Sequence, residues 1–409
     1  MTVSGSIMDF DITADWYITD PYPFLRRLRE EQPVFWSPHL RAWVITRYED
    51  VRDAYRDPRS FSSVGALTMN RMLAPEVRET LGEHESFLDN FSANVDPPKH
   101  TRMRQAISRA FTPRAVARLG ETFAAEMDAV LDEAAPRGRA DLTDTIAHRP
   151  SARLMAHFIG VPRQDEEEVR AGVHTWFQLF LSPQPVERQR VLAGRFLEYL
   201  GYVDALVSDR RRRPRDDFAS LMAGLIDAGP EGLSHREVVE TISALLLGGN
   251  DTVPNGITAV VYRLLRERDR WEDVRADPGL IPNAVEESLR IDGAGQGSFR
   301  TMARDVELHG VTLPAGAHVL LHAASAAHDP AVFEDPERFD VRRPNARDHM
   351  AFGHGIHHCV GAALGRLQLG IALERLTVRL PDLRLAAGQE FSYGKSLLVR
   401  ALQSLHVEW

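Results

Sequence analysis

The longest helical pattern in the chain runs from Ser234 to Glu267. It opens with a capping box, "SHRE", in which a serine and a glutamate three residues on satisfy each other's backbone N–H groups. Its about 32 residues would reach about 48 Å at 1.5 Å per residue, enough to cross a whole domain. Any fold for this chain has to be built around that rod. Yet its centre, "ALLLGGNDTVPNGI", contains Gly248, Gly249, Pro254 and Gly256. Glycine costs a helix interior about 1 kcal/mol against alanine, and proline about 3. A central helix weakened at its middle implies that the middle has a task.

The remaining pattern is mainly α with a small β region. "DPYPFLRRLREEQ" is an amphipathic helix, and "PVFWS" and "AWVITRY" are short strands rich in aromatic and β-branched residues. Residues 61–95 show no clean period, which suits a lid or binding loop. Helices resume at "PPKHTRMRQAISRAF" and continue to about Glu267, followed by the helix "IPNAVEESLRI". "SFRTM", "VELHGVTLP" and "HVLLHAA" read as strands, and "VGAALGRLQLGIALERLTVRL" as the last long helix. No Pro/Ser/Gly tract, repeat or charge block divides the chain, so residues 1–409 are expected to form a single domain. With 44% hydrophobic residues, that domain can bury a large core.

The charge balance narrows the function. Net charge is −9, and the arginines are scattered rather than gathered in a stripe, so nucleic acid is not an expected partner. The first residues lack the basic and apolar regions of a signal peptide, and no apolar run is long enough for a membrane span. The expected location is the cytoplasm, and the expected state a monomer.

Cys359 is the single cysteine, so no intramolecular disulfide can form. It lies in "HMAFGHGIHHCVGAALG", after a Phe-Gly-x-Gly turn and just before a helix. Backbone N–H groups and the helix dipole favour a thiolate there. Gly353, Gly355 and Gly361 allow a flat, bulky neighbour to come close, and Phe352 can stack beside it. Such a thiolate is suited to be an axial ligand of iron. Zinc held by Cys359 with His349, His354, His357 or His358 matches no common zinc spacing and leaves the glycines unexplained. A Cys–His hydrolase nucleophile is the other alternative, but neighbours in sequence need not be hydrogen-bonded partners.

"FGHGIHHCVG" resembles the cytochrome P-450 signature, F-G-x-G-x-(H/R)-x-C-x-G. The resemblance implies the family's triangular-prism fold, with heme b between the long central helix and the cysteine-loop helix. Cys359 would ligate the iron and push electron density that favours O–O cleavage. "EESLR" with "DPERF" is similar to the family's bracing motifs, which implies a structural network of Glu287, Arg290 and Arg338. "DPPKHTRMR" is similar to the propionate-holding segment of soluble bacterial members. It implies His100 and Arg104 as propionate donors, joined by Arg300 and His357, with Phe352 and Gly353 also at the cofactor. "GGNDT" resembles the oxygen-side motif. Gly248 and Gly249 would leave room over the iron, and Asp251 and Thr252 would deliver protons. Val253 and Pro254 depart from the pattern: Pro254 cannot donate to the Asn250 carbonyl, so it is expected to hold the helix open there.

The resemblance implies a monooxygenase that inserts one atom of dioxygen by hydroxylation, epoxidation or O-dealkylation. With no flavin or nicotinamide region in the chain, electrons are expected from a ferredoxin and its reductase, docking near Arg102, Arg109, Arg114 and Arg366. A peroxygenase or other chemistry on the same fold is the alternative, and a heme sensor without turnover is a third. Leu67, Met69, Phe87, Phe91, Thr241, Leu245, Leu397 and Leu398 are candidate pocket walls, with Gln296 and Ser298 as polar contacts. They suggest a mostly hydrophobic substrate. A polyketide or terpenoid of secondary metabolism is the first expectation, and a smaller aromatic or fatty acid the second.

Overall fold

The computed structural model describes residues 10–66, 73–87, 89–396 and 398–409. Helices of nine or more residues, numbered in chain order, are α1 (Tyr22–Glu31), α2 (Tyr48–Arg56), α3 (Lys99–Ser108), α4 (Pro113–Ala134), α5 (Arg149–Ile159), α6 (Glu166–Leu181), α7 (Val186–Arg212), α8 (His235–Asn250), α9 (Thr252–Arg266), α10 (Arg268–Ala276), α11 (Ile281–Asp292) and α12 (Ala362–Arg379). The strands are β1 (Val34–Ser37), β2 (Ala42–Ile45), β3 (Phe61–Ser62), β4 (Arg139–Asp141), β5 (Ser298–Met302), β6 (Val306–Leu308), β7 (Val311–Leu313), β8 (His318–Leu321), β9 (Arg384–Leu385) and β10 (His406–Glu408). No helix among the described residues is long and apolar enough to cross a membrane. Contacts gather the chain into two compact units.

One unit holds residues 10–62, 123–149 and 252–409. Its main sheet has the order β1-β2-β8-β5-β3. The pairing is antiparallel except where β2 lies parallel to β8. Val34, Ile45, Phe61, Met302, Val319 and Leu321 share one buried cluster, and Phe35, Val44 and Leu320 another. That division follows from alternation: successive side chains of a strand face opposite ways. Helices α9, α11 and α12 pack on one another pairwise. Gly256 permits the α9–α12 approach, since a Cβ there would lie 3.1 Å from Leu369 Cδ2.

The other unit holds residues 63–122 and 150–251. Helix α8 packs on α6 and α7. The α6–α7 pair closes at Gly172, where a Cβ would stand 2.4 Å from the Tyr199 ring. Buried Arg210 ties α7 to its surroundings through Asp217 (2.6 Å) and the Gly160 carbonyl (2.6 Å).

Two expectations are corrected here. The region 61–95 contains a helix, Pro75–Leu81, that packs on α7. Two turns with buried Val77 and Leu81 are too short to show a clear period. The long rod is two helices, because Asp251 leaves the helical ladder between α8 and α9.

Candidate active site

The cysteine loop is shaped by its glycines. Gly353 and Gly355 have φ of +67° and +69°, which side-chain-bearing residues rarely adopt. Gly355 has a second reason, because a Cβ there would lie 2.3 Å from the Tyr55 carbonyl oxygen. The Cys359 N–H donates to the Phe352 carbonyl at 2.8 Å, folding the loop back on itself. Cys359 is exposed, two residues before Gly361, the N-cap of α12. Two of the neighbouring histidines turn elsewhere: His349 bonds Glu286 at 3.0 Å, and His354 accepts from Arg56 at 2.9 Å. Burial, then the charges of Arg56 and Arg52, lower the His354 pKa.

Helix α11 carries part of a buried charge network. Arg290 donates two bonds to the Glu287 carboxylate, at 2.7 and 2.9 Å. The second arginine is Arg343, 2.9 Å from Glu287 Oε1. The assignment of Arg338 is thereby corrected. Its side chain is 56% exposed and, among the described residues, is paired with Asp340 at 3.7 Å. Its backbone carbonyl is what joins the network, accepting from Arg343 Nη2 at 2.9 Å. Burial selects between them, since the Glu287 carboxyl group, with no exposure, requires a partner that is itself buried.

At the end of α8 the two glycines separate. A Cβ on Gly248 would meet no heavy atom of the described residues within 4 Å. A Cβ on Gly249 would lie 2.4 Å from Met155 Sδ on α5, so Gly249 serves packing. Leu245 and Thr241 are buried one and two turns back. Thr252 is exposed and is the first residue of α9. Pro254 therefore sits in the first turn of a new helix, where a missing N–H costs little. Asp251 is half-buried. Burial raises its pKa to about 6, against the opposing charge of Arg170.

The propionate candidates occupy three segments. His100 is buried and Arg104 half-buried, one turn apart on α3. Arg300, on β5, is buried, with its guanidinium 5.4 Å over the Tyr55 ring. His357 ends the short turn Gly355–His357. Tyr55 was not singled out in the sequence, yet it touches both Arg300 and the cysteine loop. It also donates to Ser298 Oγ at 3.3 Å.

The pocket candidates are mixed. The Gln296 N–H donates to the Leu398 carbonyl at 2.8 Å, which brings those two together. Phe87 packs edge-on against Phe196 of α7, and Phe91 is half-buried. Leu67, Met69 and Leu397 lie outside the described residues. Of the docking candidates, Arg109 and Arg114 are exposed. Arg102 is held by Glu237 at 2.6 Å, and Arg366 by Glu286 at 2.7 Å.

The donor set suits heme. It comprises one accessible soft sulfur ahead of a helix, a loop kept slim by glycine, and cationic or imidazole donors for carboxylates. Comparison with known proteins agrees. The family model for cytochrome P-450 matches residues 69–379. The chain is 34% identical to the cytochrome P-450 monooxygenase PikC of Streptomyces venezuelae, over 100% of this chain and 95% of that one. It is 33% identical to the vitamin D(3) 25-hydroxylase of Pseudonocardia autotrophica, over 100% and 98%. The CYP116B5 heme domain of Acinetobacter radioresistens superposes with a TM-score of 0.92 at 29% identity, covering 98% of this chain and 97% of that one. On the strength of its cysteine loop, its fold and these full-length likenesses, the chain belongs to the cytochrome P-450 family, the heme-dependent monooxygenases.

Proposed function

We propose that this monooxygenase oxidises a mostly hydrophobic secondary-metabolite scaffold, of polyketide or terpenoid type, with electrons from a ferredoxin and its reductase. Cys359 would hold the heme iron, and the observation that carries this is its exposed place between the Gly353–Gly355 turn and the start of α12. Heme, when bound, supplies the iron at which dioxygen is activated. His100, Arg104, Arg300 and His357 would hold its carboxylates by charge-assisted bonds. Phe352 would shield the Cys359 sulfur, and Gly248 would leave room for dioxygen.

Asp251 takes protons from solvent and passes them to the Thr252 hydroxyl. A carboxyl with a pKa of about 6 suits the task, because it can both hold and release a proton near neutrality. Gln296 and Ser298 orient the substrate against Leu398 and Leu245. The resemblance to a vitamin D(3) hydroxylase supports a mostly hydrophobic substrate.

The test is NADH oxidation with a ferredoxin and its reductase, measured against a panel of macrolides, terpenoids, aromatic acids and fatty acids. Substrate-dependent NADH consumption with matching product supports the reading. Turnover with hydrogen peroxide alone, and none with the electron partners, points instead to a peroxygenase.

A further inference from the structure

Glu286 stands beside the buried network, yet its carboxylate belongs to a different one. It lies on α11 and is 2% exposed. One oxygen bonds His349 Nε2 at 3.0 Å. The other accepts from Arg366 Nε of α12 at 2.7 Å. Arg347 approaches that same oxygen at 3.3 Å from the surface, its side chain 73% exposed. The partners therefore come from the start of the cysteine loop and from the helix that follows it.

The His349 ring is oriented by its second bond. Its Nδ1 accepts the Ala351 N–H at 3.1 Å, so the ring proton sits on Nε2 and is donated to Glu286. Arg366 is fixed in a comparable way. Its guanidinium lies 4.5 Å over the Phe352 ring while its Nε is bonded to Glu286. Phe352 in turn accepts the Cys359 N–H at 2.8 Å. Two routes thus lead from a single carboxylate to the cysteine, one through His349 and the loop backbone, the other through Arg366 and the Phe352 ring.

We propose that Glu286 is a positioning residue for Cys359, clamping His349 and Arg366 so that Phe352 and the cysteine N–H stay in register. The inference rests on Cys359 being the heme ligand. The carboxylate is suited to it. Burial alone would raise its pKa, but the bonds from His349 and Arg366 overcome that and bring it to about 2. Its charge is therefore constant across working pH. The clamp also gives Arg366 an internal duty, which sets it apart from exposed Arg109 and Arg114 as a docking contact.

Glu286→Gln keeps the shape and removes the charge. Outer partners of a ligand change metal retention by about 10–100-fold when lost. In the holoprotein, heme transfer to excess apomyoglobin should therefore be about 10-fold faster in Glu286→Gln. Part of its reduced carbon monoxide complex should move from the red-shifted Soret band to the shorter-wavelength band of a lost thiolate. Arg366→Gln, at a half-exposed site, should give the same changes to a smaller extent and covers the case in which Glu286→Gln does not fold. Arg347→Ala should change neither readout. Heme retention and a band shape equal to wild type in Glu286→Gln, or in Arg366→Gln if it alone folds, would overturn the proposal. A wild-type protein without the red-shifted band would instead overturn the ligand assignment on which it stands.

Discussion

Arg343 Nε lies 2.9 Å from Glu287 Oε1, with both side chains buried, while Arg338 points its guanidinium to solvent. Removing one member of a buried pair leaves a charge without its partner, at a cost of about 3 kcal/mol or more. A surface pair contributes about 0–1 kcal/mol. Arg343→Ala should therefore lower stability by about 3 kcal/mol and Arg338→Ala by less than about 1. Denaturant melts of the two variants decide the matter, and equal losses would return Arg338 to the network.

Thr252→Ala should still consume NADH and dioxygen but release hydrogen peroxide in place of product. In the proposed relay this substitution removes the hydroxyl that would receive protons from Asp251 and leaves Cys359 in place. Peroxide and product are measured per NADH, and unchanged coupling would remove Thr252 from the relay.

Asp251 predicts two pH effects. Its folded pKa of about 6 is raised above the usual carboxylate value, so the native state binds this proton more tightly than the unfolded chain. The stability that this proton contributes should accordingly fall as pH rises from about 4 through about 6 and then level off, so wild type should lose stability relative to Asp251→Asn over that window. The proton-holding fraction of Asp251 falls in the same window, so the ratio of product to peroxide should fall as pH rises through about 6. Thermal melts and coupling measured between about pH 4 and 8 check both, and a flat coupling profile would count against the relay.

The two glycines of "LLLGGN" should part company. Gly248→Ala meets no heavy atom of the described residues and should stabilise α8 by up to about 1 kcal/mol. The added methyl should also weaken binding of bulky substrates, seen in spin-state titrations. Gly249→Ala has to displace Met155, and overpacking costs about 1–3 kcal/mol, so the helix gain should be cancelled or reversed. Equal stabilisation of both variants would contradict this packing.

How much of this was legible in the sequence depended on distance along the chain. Cys359, Phe352 and the glycines occupy one loop, and Glu287 and Arg290 lie one turn apart, so their spacing carried the information. Arg343 was hidden because arginines at 338, 342 and 343 are alike on paper, and only burial tells them apart. Glu286 was missed because its partners His349 and Arg366 lie 63 and 80 residues away. Tyr55 was missed for the same reason. The break at Asp251 was foreseen as a kink beside Pro254, but not that Pro254 would lie in a first turn.

The central claim is that Cys359 is the thiolate ligand of heme. Its most direct test is the carbon monoxide difference spectrum of the reduced protein. A strongly red-shifted Soret band in wild type, absent from Cys359→Ser, is the predicted result. A wild-type spectrum with the Soret position of an imidazole-ligated or neutral-thiol heme would contradict it.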